Sequence, residues 1–152
     1  MVIVGEKAPD FMLGDKDGRK IKLSDHFGSK IALYFYPKDD TPGCTKQACS
    51  LRDGFDKLKK YGVILLGVSP DTENSHKHFS SKYALPFSLL ADPDRRVCKM
   101  YGVVTSRKFM GKEIDSINRT TFLIDERGSI VNILSKPNVD DHATEILGGF
   151  GL

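Results

Sequence analysis

The chain has 152 residues, 39% of them hydrophobic and 28% charged, with a net charge of +3 at pH 7. That length can bury most of its unfolded surface around one core, so the sequence reads as a single domain over residues 1–152, neither disordered nor fibrous. Lysines and acids alternate without the basic stripe and interleaved aromatics of a nucleic-acid binder, and the longest apolar runs, "IALYFY" and "GVILLGV", fall far short of the roughly 18 residues of a membrane span, which excludes both partners.

In chain order, "MVIVGEKAPDF" has no basic n-region and predicts no signal peptide. Three cysteines, an odd number without a secretory leader, predict a reducing, cytoplasmic setting. "FMLGDKDGRKIKLSDHF" reads as a short hairpin with Gly and Asp at its turn. "IALYFYP", residues 31–37, is apolar on both faces, which predicts a central strand covered on each side. Ala48, Leu51, Phe55 and Leu58 then recur at helical spacing up to a stop at Tyr61 and Gly62. "GVILLGVS" repeats the buried-strand pattern, and Asp71 is placed to cap a second helix, "TENSHKHFSSKYA". "FSLLAD" predicts a third strand and "DRRVCKMYG" a short helix. "RTTFLID" and "SIVNIL" around "ERG" predict an antiparallel hairpin, and "DDHATEIL" a closing helix. Strand, helix, strand, helix, strand, hairpin, helix is an α/β order, best matched by a thioredoxin-like fold with a mixed central sheet and helices on both faces. Open α/β sheets bind ligands at the carboxyl ends of their strands, where "PKDDTPGC" begins.

Two of the cysteines, Cys44 and Cys49, lie in that stretch. Thr41 suits the N-cap and Pro42 the first helical position, so Gly43 and Cys44 follow as second and third. The Cys44 sulfur then lies among N–H groups without intrahelical partners, where the helix dipole favours an anion. Cys44 also falls on the stripe of Ala48, Leu51, Phe55 and Leu58, which shields it against the sheet. On a helix Cys49 is turned about 140° from Cys44 and displaced about 7.5 Å, a Cα separation near 8.7 Å, whereas a disulfide needs less than about 7 Å. The pair can therefore bond only if the start of the helix unwinds. Gly54, costing about 1 kcal/mol relative to Ala inside a helix, either eases that opening or accommodates a packing neighbour. Cys98 has no comparable setting and reads as a structural residue. A zinc site needs four ligands, and His76 and His78, two apart on a helix, point to nearly opposite faces. No metal is expected, and His26, His76, His78 and His142 read as solvated.

The segment "FYPKDDTPGCTKQAC" resembles the active site of the peroxiredoxins, specifically the Q-type subgroup also called bacterioferritin comigratory protein. The pattern Pro-x-x-x-Thr/Ser-x-x-Cys is met by Pro37, Thr41 and Cys44, and Cys49 matches the subgroup's resolving position. "GVSPDT", "FSLLAD", "VCKMYGV" and "NRTTFLID" are similar to subgroup segments in the same order, so the resemblance spans residues 4–147. Gln47 stands where an acid is common and Val104 where many members carry an aromatic residue, departures that bear on the rim of the site and on substrate preference.

The resemblance implies a thioredoxin-dependent peroxidase of the atypical two-cysteine kind, acting on hydrogen peroxide and organic hydroperoxides in antioxidant defence. It implies a Cys44 sulfenic acid, then a Cys44–Cys49 disulfide reduced by thioredoxin or a similar dithiol, with no cofactor and a monomer or weak homodimer. A free thiol of pKa about 8.5 is about 3% ionised at pH 7, so full ionisation supplies only about 30-fold; the remainder needs donors at the peroxide oxygens. The Thr41 hydroxyl, the Cys44 N–H and a guanidinium are the candidates, and the resemblance assigns the guanidinium to Arg119 among seven arginines. The alternative for Arg119 is an arginine at a strand start paired with a surface acid. Pro37 shields the site and, with Pro42 and Gly43, shapes the loop. Two rival readings stand beside this one. A disulfide reductase prefers Cys-x-x-Cys, and a non-enzymatic binding module leaves the helix-capped cysteine unexplained.

Overall fold

The computed structural model describes residues 2–152; Met1, the first residue of the leader reading, lies outside them. At its centre runs β3 (Lys30–Phe35), whose side chains alternate between two cores. Ile31, Leu33 and Phe35 enter one, while Ala32 and Tyr34 enter the other. β4 (Val63–Ser69) and β5 (Ser88–Ala91) continue the sheet in parallel on one side of β3. On the other side β8 (Thr120–Ile124) and β9 (Ile130–Leu134) add an antiparallel hairpin. β1 (Met12–Asp15) and β2 (Lys20–Lys22) form the first hairpin, with β1 antiparallel to β5. The seven strands stand in the order β2-β1-β5-β4-β3-β8-β9.

One face of this mixed sheet is covered by α1 (Pro42–Asp53), α2 (Phe55–Lys60), α3 (Glu73–Tyr83) and α5 (His142–Gly149). The other face is covered by α4 (Arg96–Met100) and by the N-terminal residues Val2, Ala8 and Phe11. This is the thioredoxin-like arrangement that the element order predicts. No helix among the described residues is long and apolar enough to cross a membrane.

Four expectations need correction. The helix expected from Pro42 up to the stop at Tyr61 is two helices that break at Gly54. A Cβ at that position would run into the Ala143 side chain, so packing against α5, rather than ease of opening, accounts for the glycine. The cap of α3 is Thr72, whose hydroxyl accepts from Ser75 N; Asp71 instead accepts from Asp39 N and Ser69 Oγ. His76 and His142 are fully buried, not solvated, because each is bonded through both ring nitrogens. Finally, a separate two-stranded hairpin, β6 (Val104–Phe109) and β7 (Lys112–Ile117), occupies a stretch that the sequence pattern left unassigned.

Candidate active site

The pairing of β3 with β8 builds the site. Their antiparallel register sets Phe35 opposite Thr120, so the residue before Thr120 lies beside the loop that follows β3. That residue is Arg119, and the loop leads to Thr41 and α1. Thr41 occupies the N-cap position with extended backbone, Pro42 is the first helical residue and Cys44 the third, as expected. The Thr41 hydroxyl, however, caps nothing: it donates to the Lys38 carbonyl at 2.8 Å. Its proton is thereby committed and its lone pairs are left to accept from a ligand, so Thr41 is not the donor that the sequence suggests.

Cys44 is 2% exposed and packs with Ala48, Leu51 and Leu58, the stripe read from the sequence. The Arg119 guanidinium reaches it from the position just before β8, Nη2 donating to Sγ at 3.4 Å. Nη1 donates to Gln47 Oε1 at 2.7 Å, so one side chain a turn along α1 fixes the guanidinium plane. Gly43 makes room for it, since a Cβ there would stand 3.1 Å from Nη2. No acidic residue lies in the first turn of α1. Behind the sulfur, burial first, and then the nearby Asp39 and Cys44, push the Tyr34 phenol well above its usual range and keep that group neutral.

Cys49 is half-buried, and both thiols are free within one uninterrupted helix. Pro37 and Pro42 are exposed, on the stretch that leads from β3 into the first turn of α1. Cys98 is fully buried in the other core; burial and the Asp92 carboxylate push its thiol up beyond the ordinary range. The sequence places Gln47 at the rim, yet the structure buries it completely at the centre. Its spacing of three from Cys44 on a helix was the available signal. Sequence reasoning also passes over Asp39 and Asp40. Among the described residues one cluster has metal-ligand spacing: Asp39, Asp71 and His76, their atoms within 4.8 Å of one another. Its polar atoms are turned to each other and to Tyr36, Ser69 and Ser75.

A sulfur facing a guanidinium and the open turn of a helix, with an accepting hydroxyl one turn away, is arranged to attack a bond that leaves negative oxygen behind. Arg119 also lines a cavity of about 650 Å³ whose wall mixes Tyr101, Val103 and Phe122 with Asn118, Thr120 and Lys136.

Comparison with known proteins gives the family. The family model described as AhpC/TSA family matches residues 4–133. A Coxiella burnetii relative is 50% identical over 145 residues, covering 95% of this chain and 96% of that one. Peroxiredoxin Bcp of Escherichia coli is 45% identical over 143 residues, 94% of this chain and 92% of its own. Among solved structures, the bacterioferritin comigratory protein of Xanthomonas campestris superposes with a TM-score of 0.87 at 33% identity over 93% of this chain and 90% of that one. That protein was captured in trapped intermediate and ligand complexes that concern its alkyl peroxide reduction activity.

Proposed function

The chain belongs to the AhpC/TSA family, among the Bcp and peroxiredoxin Q proteins, and on that premise we propose that it reduces hydrogen peroxide and organic hydroperoxides through a Cys44 thiolate and a Cys44–Cys49 disulfide. The observation that carries the reading is the Arg119 guanidinium 3.4 Å from a shielded Cys44 sulfur at a helix start without acids.

The Cys44 thiolate attacks the terminal peroxide oxygen. The O–O bond breaks, the alkoxide or hydroxide leaves and takes up a proton, and Cys44 becomes a sulfenic acid. As charge moves onto the leaving oxygen, Arg119 and the Cys44 N–H stabilise it, while Thr41, with its proton committed to Lys38, accepts from the peroxide O–H. Gln47 holds the guanidinium at the required angle. The Tyr101, Val103 and Phe122 side chains in the mixed wall beside Arg119 support a place for the tail of an organic hydroperoxide. α1 then unwinds over its first turns, the Cys49 thiolate attacks the Cys44 sulfur, and water is released as the disulfide forms. A dithiol of the thioredoxin kind returns both thiols and carries the disulfide away. The setting is a reducing cytoplasm, with no cofactor and a monomer or weak homodimer.

Quenched mass spectrometry after one equivalent of peroxide tests this. Cys44→Ser leaves the chain unmodified. Cys49→Ser completes one turnover and stops as Cys44 sulfenic acid, which a dimedone-type probe traps. The wild type yields an intramolecular disulfide, with raised amide exchange over residues 43–50. A sulfenic acid trapped at Cys98, or insulin reduced faster than peroxide, would overturn the assignment.

A further inference from the structure

Asp39 and Asp40 directly precede Thr41, yet neither touches the reacting atoms. Each is instead bound by α3. Asp39 is buried; its Oδ1 accepts from Tyr36 OH at 2.6 Å, and its Oδ2 accepts from Ser75 Oγ and meets His76 Nδ1, both at 2.8 Å. Its backbone N–H donates to Asp71 at 2.8 Å, and His76 is itself fixed by its Nε2 contact with the Leu90 carbonyl at 3.0 Å. Asp40 binds the other end of the same helix, pairing with Lys82 Nζ at 2.8 Å and accepting from Tyr83 OH at 2.9 Å. Its φ of +57° is a left-handed conformation that a non-glycine residue holds at a cost, so these contacts maintain the backbone as well as the side chain. The hydrogen bonds of Lys82 and then Tyr83 hold the Asp40 carboxyl below the usual range, and it remains a charged acceptor at neutral pH. α1 is tied to α3 once more where Arg52 Nη1 donates to the Tyr83 carbonyl at 2.9 Å.

These bonds fall between the central strand and the first turn of α1, the segment that has to melt before Cys44 can meet Cys49. We propose that Asp39 and Asp40 are positioning residues through which α3 latches the loop 38–41, holding Thr41 and Cys44 ready for attack and opposing the unwinding that precedes the disulfide. This rests on the two-cysteine reading above. The latch then sets how the Cys44 sulfenic acid divides. While α1 stays wound, a second peroxide can add one more oxygen, giving sulfinic acid and releasing the alcohol or water; once it unwinds, Cys49 forms the disulfide and releases water.

The test alters α3 and leaves the loop sequence intact. Lys82→Gln with Tyr83→Phe removes both Asp40 contacts at side chains that are not buried, and Ser75→Ala removes one of the Asp39 contacts. Two rates are measured by quenched mass spectrometry: Cys44 oxidation in a Cys49→Ser background, and disulfide formation with Cys49 present. The sulfinic fraction at high peroxide is scored alongside. In the double variant, attack falls and disulfide formation rises, each by about three- to tenfold, the scale of an exposed ion pair and a hydrogen bond, and the sulfinic fraction drops. Tyr83→Phe alone gives an intermediate result. Both rates within twofold of wild type, or both falling together, would sink the latch, the second outcome marking a merely structural role. A wild-type chain that oxidises at Cys44 but never forms the disulfide would instead refute the two-cysteine reading, and the partition with it.

Discussion

Cys44 and Cys98 occupy nearly the same local position. Each is the third residue of a helix, each is buried to within 2% of completely, and each packs into one of the two cores. Their neighbours differ in sign. The N-terminal N–H groups of α4 are already taken by a buried carboxylate, Asp92 accepting from Val97 N at 3.2 Å and from Cys98 N at 2.8 Å. Burial first, and then the carboxylate that a second anion would face, hold the Cys98 thiol neutral. At α1 the hydroxyl of the N-cap turns away, no acid enters the first turn, and a guanidinium approaches from β8. A helix start by itself therefore does not make a nucleophile; the charge that the rest of the fold brings to it decides.

The most direct way to break this comparison is to remove each sulfur. Cys44→Ser abolishes peroxide turnover in a thioredoxin-coupled NADPH assay, whereas Cys98→Ser retains at least half of it; equal losses would end the distinction. Next in size is the guanidinium. Arg119→Met leaves the fold intact but slows Cys44 oxidation about 10²- to 10³-fold, the usual cost of losing one donor at a developing oxyanion. A loss below about threefold would mean that Arg119 serves only the β7–β8 connection. Gly43→Ala is milder. The added methyl presses on Nη2 and shifts it by a few tenths of an ångström, and the same oxidation step slows about tenfold or less. On the other side, Asp92→Asn weakens the cap of α4 and costs about 1–2 kcal/mol in urea unfolding. Cys98 in that variant is still alkylated only as fast as the chain unfolds, because burial alone keeps reagent away.

The comparison also explains what could be read ahead of the structure. Doubly covered strands announce themselves as apolar runs, and a Thr-Pro-Gly-Cys stretch after one of them places a cysteine at a helix start; both are local patterns, and both hold. What selects Cys44 over Cys98 is not local. Arg119 lies 75 positions from Cys44, and the β3–β8 register that joins them leaves no trace in periodicity. Only the family resemblance singled it out. The same holds for the histidines: His76 is buried because Asp39, 37 positions away, receives it, and His142 because Thr121 does, 21 positions away. The β6–β7 hairpin escaped notice for two reasons. Its strands are almost entirely exposed and lack an alternating apolar face, and its turn places Met110 at φ +52° before Gly111 at +78°, where an Asn-Gly or Asp-Gly pair would have signalled it.

The smallest effect concerns the base buried behind the Cys44 site. His142 contacts Thr121 Oγ1 and Glu145 Oε1, both at 2.7 Å, and sits in the field of Arg119. Burial is the largest cause that pushes its pKa below the ordinary value; Arg119 adds to the shift and Glu145 opposes it. The unfolded chain, with a histidine near pH 6.5, therefore binds this proton more readily than the folded one. His142 thus contributes stability that is fully present above about pH 7 and is lost as pH falls through 6.5 toward the depressed folded value, with a slope of at most about 1.4 kcal/mol per pH unit for one proton. His142→Gln lowers stability throughout by removing buried hydrogen bonds, but it flattens the difference between pH 7 and pH 5 in urea unfolding. If the variant kept the wild-type slope, another group would be taking up the proton.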